Sequence, residues 1–261
     1  MKIIDLNCDL GESFGAWRMG DDDALLAIVS SANIACGFHA GDPQIMQRTV
    51  ALALQHGVTI GAHVSLPDLQ GFGRREMAVT PREVHAMTLY QIGALHAFAQ
   101  AAGTRLSHMK AHGALYNMAA RERTLADALA QAVRDFDPRL RLVGLAGSAL
   151  LDAGRAVGLE VVAEAFADRR YRTDGSLQPR SESGAVIHAS DQAIAQAMAI
   201  AREGSVQAVD GSGISVQADT LCVHGDGEHA VSFARGLRAA LQAAGIAIAA
   251  PGTKPAGTEP A

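Results

Sequence analysis

Asn33-Ile34-Ala35-Cys36-Gly37-Phe38-His39-Ala40-Gly41-Asp42-Pro43 sets an apolar run directly against a glycine, a histidine and an aspartate. A periodic segment starts at once, with Pro43 near its first turn, where a missing N–H costs nothing. A strand that ends this way delivers polar groups to a rim. At least four other places in the chain repeat the arrangement, and that recurrence decides the fold.

Working outward, Ile3 to Cys8 reads as a first strand and Asp9 to Gly15 as a glycine-bearing loop. Asp21-Asp22-Asp23 reads as a helix N-terminal cap rather than a metal site. Ser31 to Cys36 is the second strand, and a helix from Asp42-Pro43 closes at His56-Gly57. Val58 to Gly61 is a short third strand, opening into a long loop from Ser65 to Met77. Thr80-Pro81-Arg82-Glu83 spells a capping box with proline at the first helical position.

Leu106–Met109, Leu140–Leu145 and Leu159–Glu164 continue the strand series, followed by Val206–Val209 and Thr220–Val223. Helices are expected across Thr124–Val133, Ser148–Val157, Ser190–Glu203 and a last stretch ending at Gly245. Strand and helix alternate, so a mostly parallel sheet with helices outside is the natural product. Seven or eight repeats fit a closed barrel. The expected fold is therefore α/β, a distorted (β/α) barrel of about seven parallel strands. It occupies residues 1–250 as one domain, with a disordered tail over 251–261. Neither G-x-G-x-x-G after the first strand nor a Walker A sequence occurs, which counts against Rossmann and P-loop domains.

Composition narrows the class further. The net charge of −5 and the lack of a basic block argue against a nucleic-acid surface. No run reaches transmembrane length, so no membrane partner is expected. Met1-Lys2 leads straight into a strand, so no signal peptide is read and the expected compartment is cytoplasmic. Three widely spaced cysteines, Cys8, Cys36 and Cys222, do not form a disulfide framework and read as small buried hydrophobes.

The polar residues fall at one topological position. Asp9 and Glu12 follow the first strand, His39 and Asp42 the second, and His63 the third. Lys110 and His112 follow the fourth, Glu164 ends the sixth, and His224 and Asp226 follow the last. In a barrel all of these arrive at the C-terminal face. Taken singly, His39 or His63 is as readily a hydrogen-bonded structural histidine, Glu12 a brace for its loop, and Lys110 half of a buried ion pair. Their convergence makes an active site the better reading. Carboxylate with imidazole supplies general acid/base pairs for attack of water on a carbonyl. Lys110, Arg74, Arg169 or Arg170 suits a carboxylate, a phosphate or a developing oxyanion. The same His and Asp residues suit a divalent metal, and spacing across strands leaves that question open. Ser212 lacks a G-x-S-x-G setting, against a serine nucleophile. His56, His85, His96, His188 and His229 lie in helical or turn positions and are set aside.

Asp5-Leu6-Asn7-Cys8-Asp9-Leu10-Gly11-Glu12, the run Asn33–Pro43, Gly61-Ala62-His63, Asp68 to Arg75, His112 to Asn117, Glu164 to Tyr171 and Cys222 to Asp226 together resemble the LamB/YcsF family. The resemblance covers the chain to about Ala249. It implies a barrel of the glycoside hydrolase/deacetylase kind. It also implies an ATP-dependent opening of the lactam of 5-oxoproline (pyroglutamate) to L-glutamate, with ATP and Mg²⁺ as co-substrate of a complex completed by 5-oxoprolinase subunits B and C. The family's polar positions fall on Asp9, Glu12, His39, Asp42, His63, Arg74, Lys110, His112, Glu164, Arg169 and His224. Arg75, Tyr116 and Asn117 join Asp42, Arg74 and Arg169 as expected substrate- or phosphate-binding residues.

The resemblance further implies phosphorylation of the ring amide oxygen, then attack of water activated by His39, His63 or Glu12, with Lys110 or an arginine balancing charge. Val64 and Ala111 stand where the family usually has proline, which loosens two loop backbones without touching their polar neighbours. Two other readings share the rim. One is a stand-alone metal-dependent deacetylase or amidohydrolase, and the other a non-catalytic regulatory subunit.

Overall fold

The computed structural model describes residues 2–224 and 230–254. In chain order the elements are β1 (Ile3–Leu10), α1 (Asp22–Leu26), β2 (Ser31–Ala35), α2 (Pro43–Gln55), β3 (Thr59–Val64), α3 (Pro81–Ala101), β4 (His108–Ala111), α4 (Gly113–Arg121), α5 (Arg123–Phe136), β5 (Arg141–Leu145), α6 (Ala149–Ala156), β6 (Val161–Phe166), α7 (Ser190–Glu203), β7 (Ser205–Gln207), β8 (Gly213–Ser215), β9 (Thr220–Val223), α8 (Ala230–Ala243) and β10 (Ala247–Ile248). Strands β1 to β6 pair in sequence, all parallel, and β9 lies between β6 and β1. The pairing of β1 with β9 closes a seven-stranded barrel.

β1 shows how the sequence builds this. Its Ile4, Leu6, Cys8 and Leu10 are buried in the apolar core, while Asp5, Asn7 and Asp9 alternate with them and are also buried. A strand hidden on both faces is what a parallel barrel requires. Here the period of two separates an apolar outer face, under the helices, from a polar inner face. The inner residues bond to other strands: Asp5 accepts from Ser31 and Thr220, and Asn7 donates to Glu164.

Local signals set the helix starts. Asp42 caps α2, accepting from the backbone of Gln44 and Ile45 at 2.9 Å each. Thr80 and Glu83 form the reciprocal capping box of α3, and Asp21 caps α1.

Three elements differ from the sequence expectation. The stretch after α7 does not supply a barrel strand. Instead β7 and β8 pair antiparallel as a separate ribbon, because Asp210-Gly211 makes a tight turn in which the Asp210 carboxylate accepts from the backbone and hydroxyl of Ser212. Helix α4 follows β4 at once and is divided from α5 by the extended backbone of Glu122. β10 pairs with the start of β1, through Ile3 and Ile4. At the expected tail, Thr253 donates its N–H to Ala250 at 3.0 Å, and residues 255–261 lie outside the described residues. No described helix is long and apolar enough to cross a membrane.

Candidate active site

A cavity of about 590 Å³ opens at the C-terminal ends of the barrel strands. Asp9, His63, Lys110, His112, Tyr116, Asn117, Arg74, Arg169 and His224 line it. Glu12, His39 and Glu164 are buried and outside that lining: Glu164 pairs with Lys110, Glu12 lies 3.7 Å from His112, and His39 bonds Glu12 at 3.2 Å and stacks on His112. Asp42 and Arg75 stand apart. The Asp42 carboxylate is used up by the α2 cap and by the N–H of Gly15 at 2.8 Å. Arg75 is turned outward, its guanidinium on Asp68 and largely exposed. Asp226 falls outside the described residues.

At the centre is Lys110, 2 % exposed. Its ammonium lies 2.9 Å from Asp9 Oδ1, 2.7 Å from Glu164 Oε1, 3.2 Å from Asn7 Oδ1 and 3.2 Å from Cys222 Sγ. Burial works against that charge, but Asp9, Cys222 and Glu164 outweigh it and hold the lysine well above its usual range. Asp9 is the counterpart. Burial would raise its carboxyl, yet His63 and Lys110 pull it well below the ordinary value.

Three histidines converge beside this pair. His63 Nδ1 donates to the Lys110 carbonyl at 3.2 Å, and His112 Nε2 donates to the Phe72 carbonyl at 2.9 Å. A carbonyl accepts only, so both protons are fixed by their neighbours. The remaining nitrogens, His63 Nε2 and His112 Nδ1, then face each other at 2.9 Å. Asp9 Oδ2 lies 3.2 Å from the first and Glu12 Oε1 3.7 Å from the second. Two lone pairs at that distance require a cation between them, either a shared proton or a metal ion. Burial, then the neighbouring imidazoles, push His112 well below its ordinary value. Burial followed by His63 does the same to His39.

Glu12, His39, His63 and His112 offer four donor atoms within 4.8 Å of one another, a cluster that can hold a metal. The rings limit how. His39 and His112 stack with centroids 3.8 Å apart and planes 8° apart, so their in-plane lone pairs run side by side and cannot meet on one ion. A bound cation would take Glu12, His63 and one member of that stack. Asp9, Cys222 and His224 form a second such group, but there the Lys110 ammonium is already the cation.

The loop between β3 and α3 presses on this cluster. Phe72 packs edge-on against His39 and His112, and Arg74 lies over its ring at 4.8 Å. Phe72 has φ +53°, a left-handed backbone that costs a bulky residue about 1–3 kcal/mol. Gly73 follows with φ +65°, and a Cβ there would stand 2.8 Å from His112 and from His39. The loop thus aims one carbonyl at His112 and leaves no room beside it.

Across the cavity, His224 Nδ1 donates to Asp168 Oδ2 at 2.7 Å and its Nε2 accepts from Arg180 at 3.0 Å. Phe72, Asn7, Cys222 and Arg180 were not among the expected site residues. Asn7 was the most findable of these, because it alternates with Asp5 and Asp9 along one strand.

A closed parallel barrel with imidazole, carboxylate and ammonium gathered at the C-terminal strand ends defines an enzyme of the (β/α)-barrel class. The chain belongs to the LamB/YcsF family, whose profile matches residues 4–256. It is similar to the A subunit of 5-oxoprolinase from Bordetella pertussis, 61% identical over 247 residues, covering 95% of this chain and 98% of that one. Among solved structures it is similar to the lactam utilization protein of Thermus thermophilus, with TM-score 0.90 and 50% identity, covering 96% of this chain and 100% of that one. A GH113 β-1,4-mannanase at TM-score 0.50 and 12% identity, covering 93% and 99%, shares the barrel fold alone.

Proposed function

We propose that the chain is the barrel subunit of an ATP-hydrolysing 5-oxoprolinase, a hydrolase that opens the cyclic amide of 5-oxo-L-proline to L-glutamate. The observation that carries this is end-to-end similarity, at 61% identity, to a protein so named. The site supplies fitting chemistry. A lactam is a poor electrophile, and transfer of the γ-phosphoryl group of ATP, with its Mg²⁺, to the ring amide oxygen breaks the Pγ–O bond to ADP and makes the ring carbon reactive. One water then adds to that carbon. The ring C–N bond breaks, its nitrogen takes a proton, and an acyl phosphate remains. A second water releases phosphate and glutamate.

In this reading the carboxylate of Asp9 with His63 Nε2 takes the proton of the attacking water, and the imidazolium pair of His63 and His112 returns one to the leaving nitrogen. Lys110, held charged by Asp9 and Glu164, balances the oxyanion of the tetrahedral intermediate. Glu12 and His39 act behind them by orienting His112. Arg74 and Arg169, with Tyr116 and Asn117, hold the substrate's anionic groups. Partner subunits B and C complete the enzyme, and a need for ATP fits a cytoplasmic protein with three free thiols.

Mixing the chain with subunits B and C, 5-oxoproline, ATP and Mg²⁺ tests the reading by release of glutamate and phosphate. An assembled complex that yields neither overturns it. Product from B and C without this chain reduces it to an accessory.

A further inference from the structure

The cavity has a second end. The loop after β5 enters it at Ala146, Gly147 and Ser148, so α6 opens onto the cavity with its N-terminus. Ser148 occupies the N-cap position but makes no side-chain cap bond. Its hydroxyl oxygen is buried with no hydrogen-bond partner, in a residue 6 % exposed. A serine there ordinarily satisfies an N–H of the first turn. Here the hydroxyl does not, and the first-turn donors lack that acceptor.

Arg169, from the loop after β6, reaches the same cavity. It is 4 % exposed; one terminal nitrogen donates to the Gln178 carbonyl at 2.6 Å, and its Nε has no partner. Arg180 and Arg74 line the cavity with it. Burial, then Arg180 and more weakly Arg74, bring Arg169 down to about 10, while the neighbouring Asp168 carboxylate works the other way. Arg180 donates to His224 and Arg74 lies over Phe72, and several other charged groups of the lining also have partners. Arg121 pairs with Glu76, Arg172 with Glu182, Lys110 with Asp9, and Asp174 accepts from Ser176. One cavity is thus lined by Arg74, Arg169, Arg180 and a helix N-terminus, and two buried donors of that lining, Ser148 Oγ and Arg169 Nε, have no partner, as has the neighbouring acceptor Asp168 Oδ1.

We propose that Ser148, the first turn of α6 and Arg169 form an oxyanion subsite that receives a phosphoryl group. This assignment rests on the reading that a phosphorylated lactam is turned over here. A tetrahedral phosphoryl group has three outer oxygens and suits donors arriving from several directions, whereas a planar carboxylate is matched by one guanidinium fork. The carboxylate of 5-oxoproline is the weaker occupant.

Titration of the chain alone with inorganic phosphate, followed by ³¹P NMR and thermal shift, with acetate and 5-oxoproline as comparison arms, tests the subsite. Phosphate is expected to bind saturably and more tightly than either comparison anion. Ser148→Ala weakens phosphate by roughly tenfold, the loss of one hydrogen bond to a charged group. It does so without lowering the melting temperature of the phosphate-free protein, because the removed hydroxyl bonds to nothing. Arg169→Met weakens phosphate by about tenfold or more. Affinity no better than that for acetate, or equal in the parent and S148A, overturns the proposal whether or not R169M folds. No partner or turnover enters the measurement. A complex that makes no glutamate while S148A still weakens phosphate binding sinks the 5-oxoprolinase reading and leaves the subsite standing.

Discussion

Near the N-terminal ends of the barrel strands, the Asp5 carboxylate accepts from Ser30, Ser31 and Thr220 at 2.6, 2.7 and 2.6 Å. His108 donates to Asn33 and accepts from Ser107. In this lower layer these donors meet acceptors. At the C-terminal ends, His63 Nε2 and His112 Nδ1 meet lone pair to lone pair, with two carboxylates close by. Both layers are buried and polar, and both sit inside the same seven strands. Being hidden and hydrogen-bonded marks a polar layer as structural; acceptors crowded against acceptors mark it as waiting for a proton, an ion or a substrate.

The contrast can be tested at its hinge first. Lys110 joins the layers through Asp9 above and Asn7 and Glu164 below. Lys110→Met is expected to abolish glutamate release and cost about 3–5 kcal/mol, because it leaves two carboxylates buried without their cation; urea midpoints measure the second effect. His63→Ala in the upper layer should behave differently, lowering turnover by about 10²–10⁴-fold at a smaller cost in stability than Lys110→Met, because Asp9 keeps its ammonium partner. A large loss of stability there would mean that the upper layer is structural after all.

Gly61 carries the converse test. A Cβ at that position would stand 2.2 Å from the His108 ring, so Gly61→Ala should cost about 1–3 kcal/mol through overpacking while turnover per folded molecule is kept. Reduced turnover at full folding would show that the lower layer also tunes the chemistry.

The remaining test is in the acid response. Burial raises Asp5 above its ordinary value despite its three hydroxyl donors. Its contribution to stability is therefore full below the unfolded value of about 3.9 and is lost as pH rises through its folded value. Asp9 is depressed, so its contribution is present above about 3.9 and is lost as pH falls through its folded value. Asp5→Asn should leave the melting temperature at pH 7 equal or higher and flatten the gain between neutral pH and pH 4. Asp9→Asn should flatten the loss below pH 4. Parallel responses in the two variants would remove the distinction between the layers.

Much of this was legible in the chain. The strand-to-helix corner at Asn33–Pro43, repeated along the chain, pointed to alternating parallel strands and helices, and Asp42-Pro43 and Thr80-Pro81 marked helix starts that the structure keeps. The convergence of Asp9, His63, Lys110, His112 and His224 followed from topology alone. Other parts were hidden for physical reasons. Val206 to Val209 reads as apolar as a barrel strand, and only Asp210-Gly211 announces a hairpin. Helix α4 begins inside a motif dense with site residues, which masked its period. Asp42 and Arg75 sit in the right motifs, yet one caps a helix and the other answers Asp68. Phe72 acts through a carbonyl and a strained backbone, and Ser148 through a bond it does not make; sequence displays neither.

The closure of the barrel fixes when these layers come into being. Asp5 meets Thr220 across a separation of 215 residues, and β1 has β9 as a barrel neighbour. During synthesis the first strand leaves the ribosome early and keeps an open edge, with Leu6 and Cys8 awaiting cover, until nearly the whole chain has emerged. Such long-range pairing is slow and exposes a growing chain to association through its bare edge. The polar side chains that β1 itself carries, Asp5, Asn7 and Asp9, keep one face of that waiting strand hydrated, so the polar interior serves the nascent chain before it serves the finished protein.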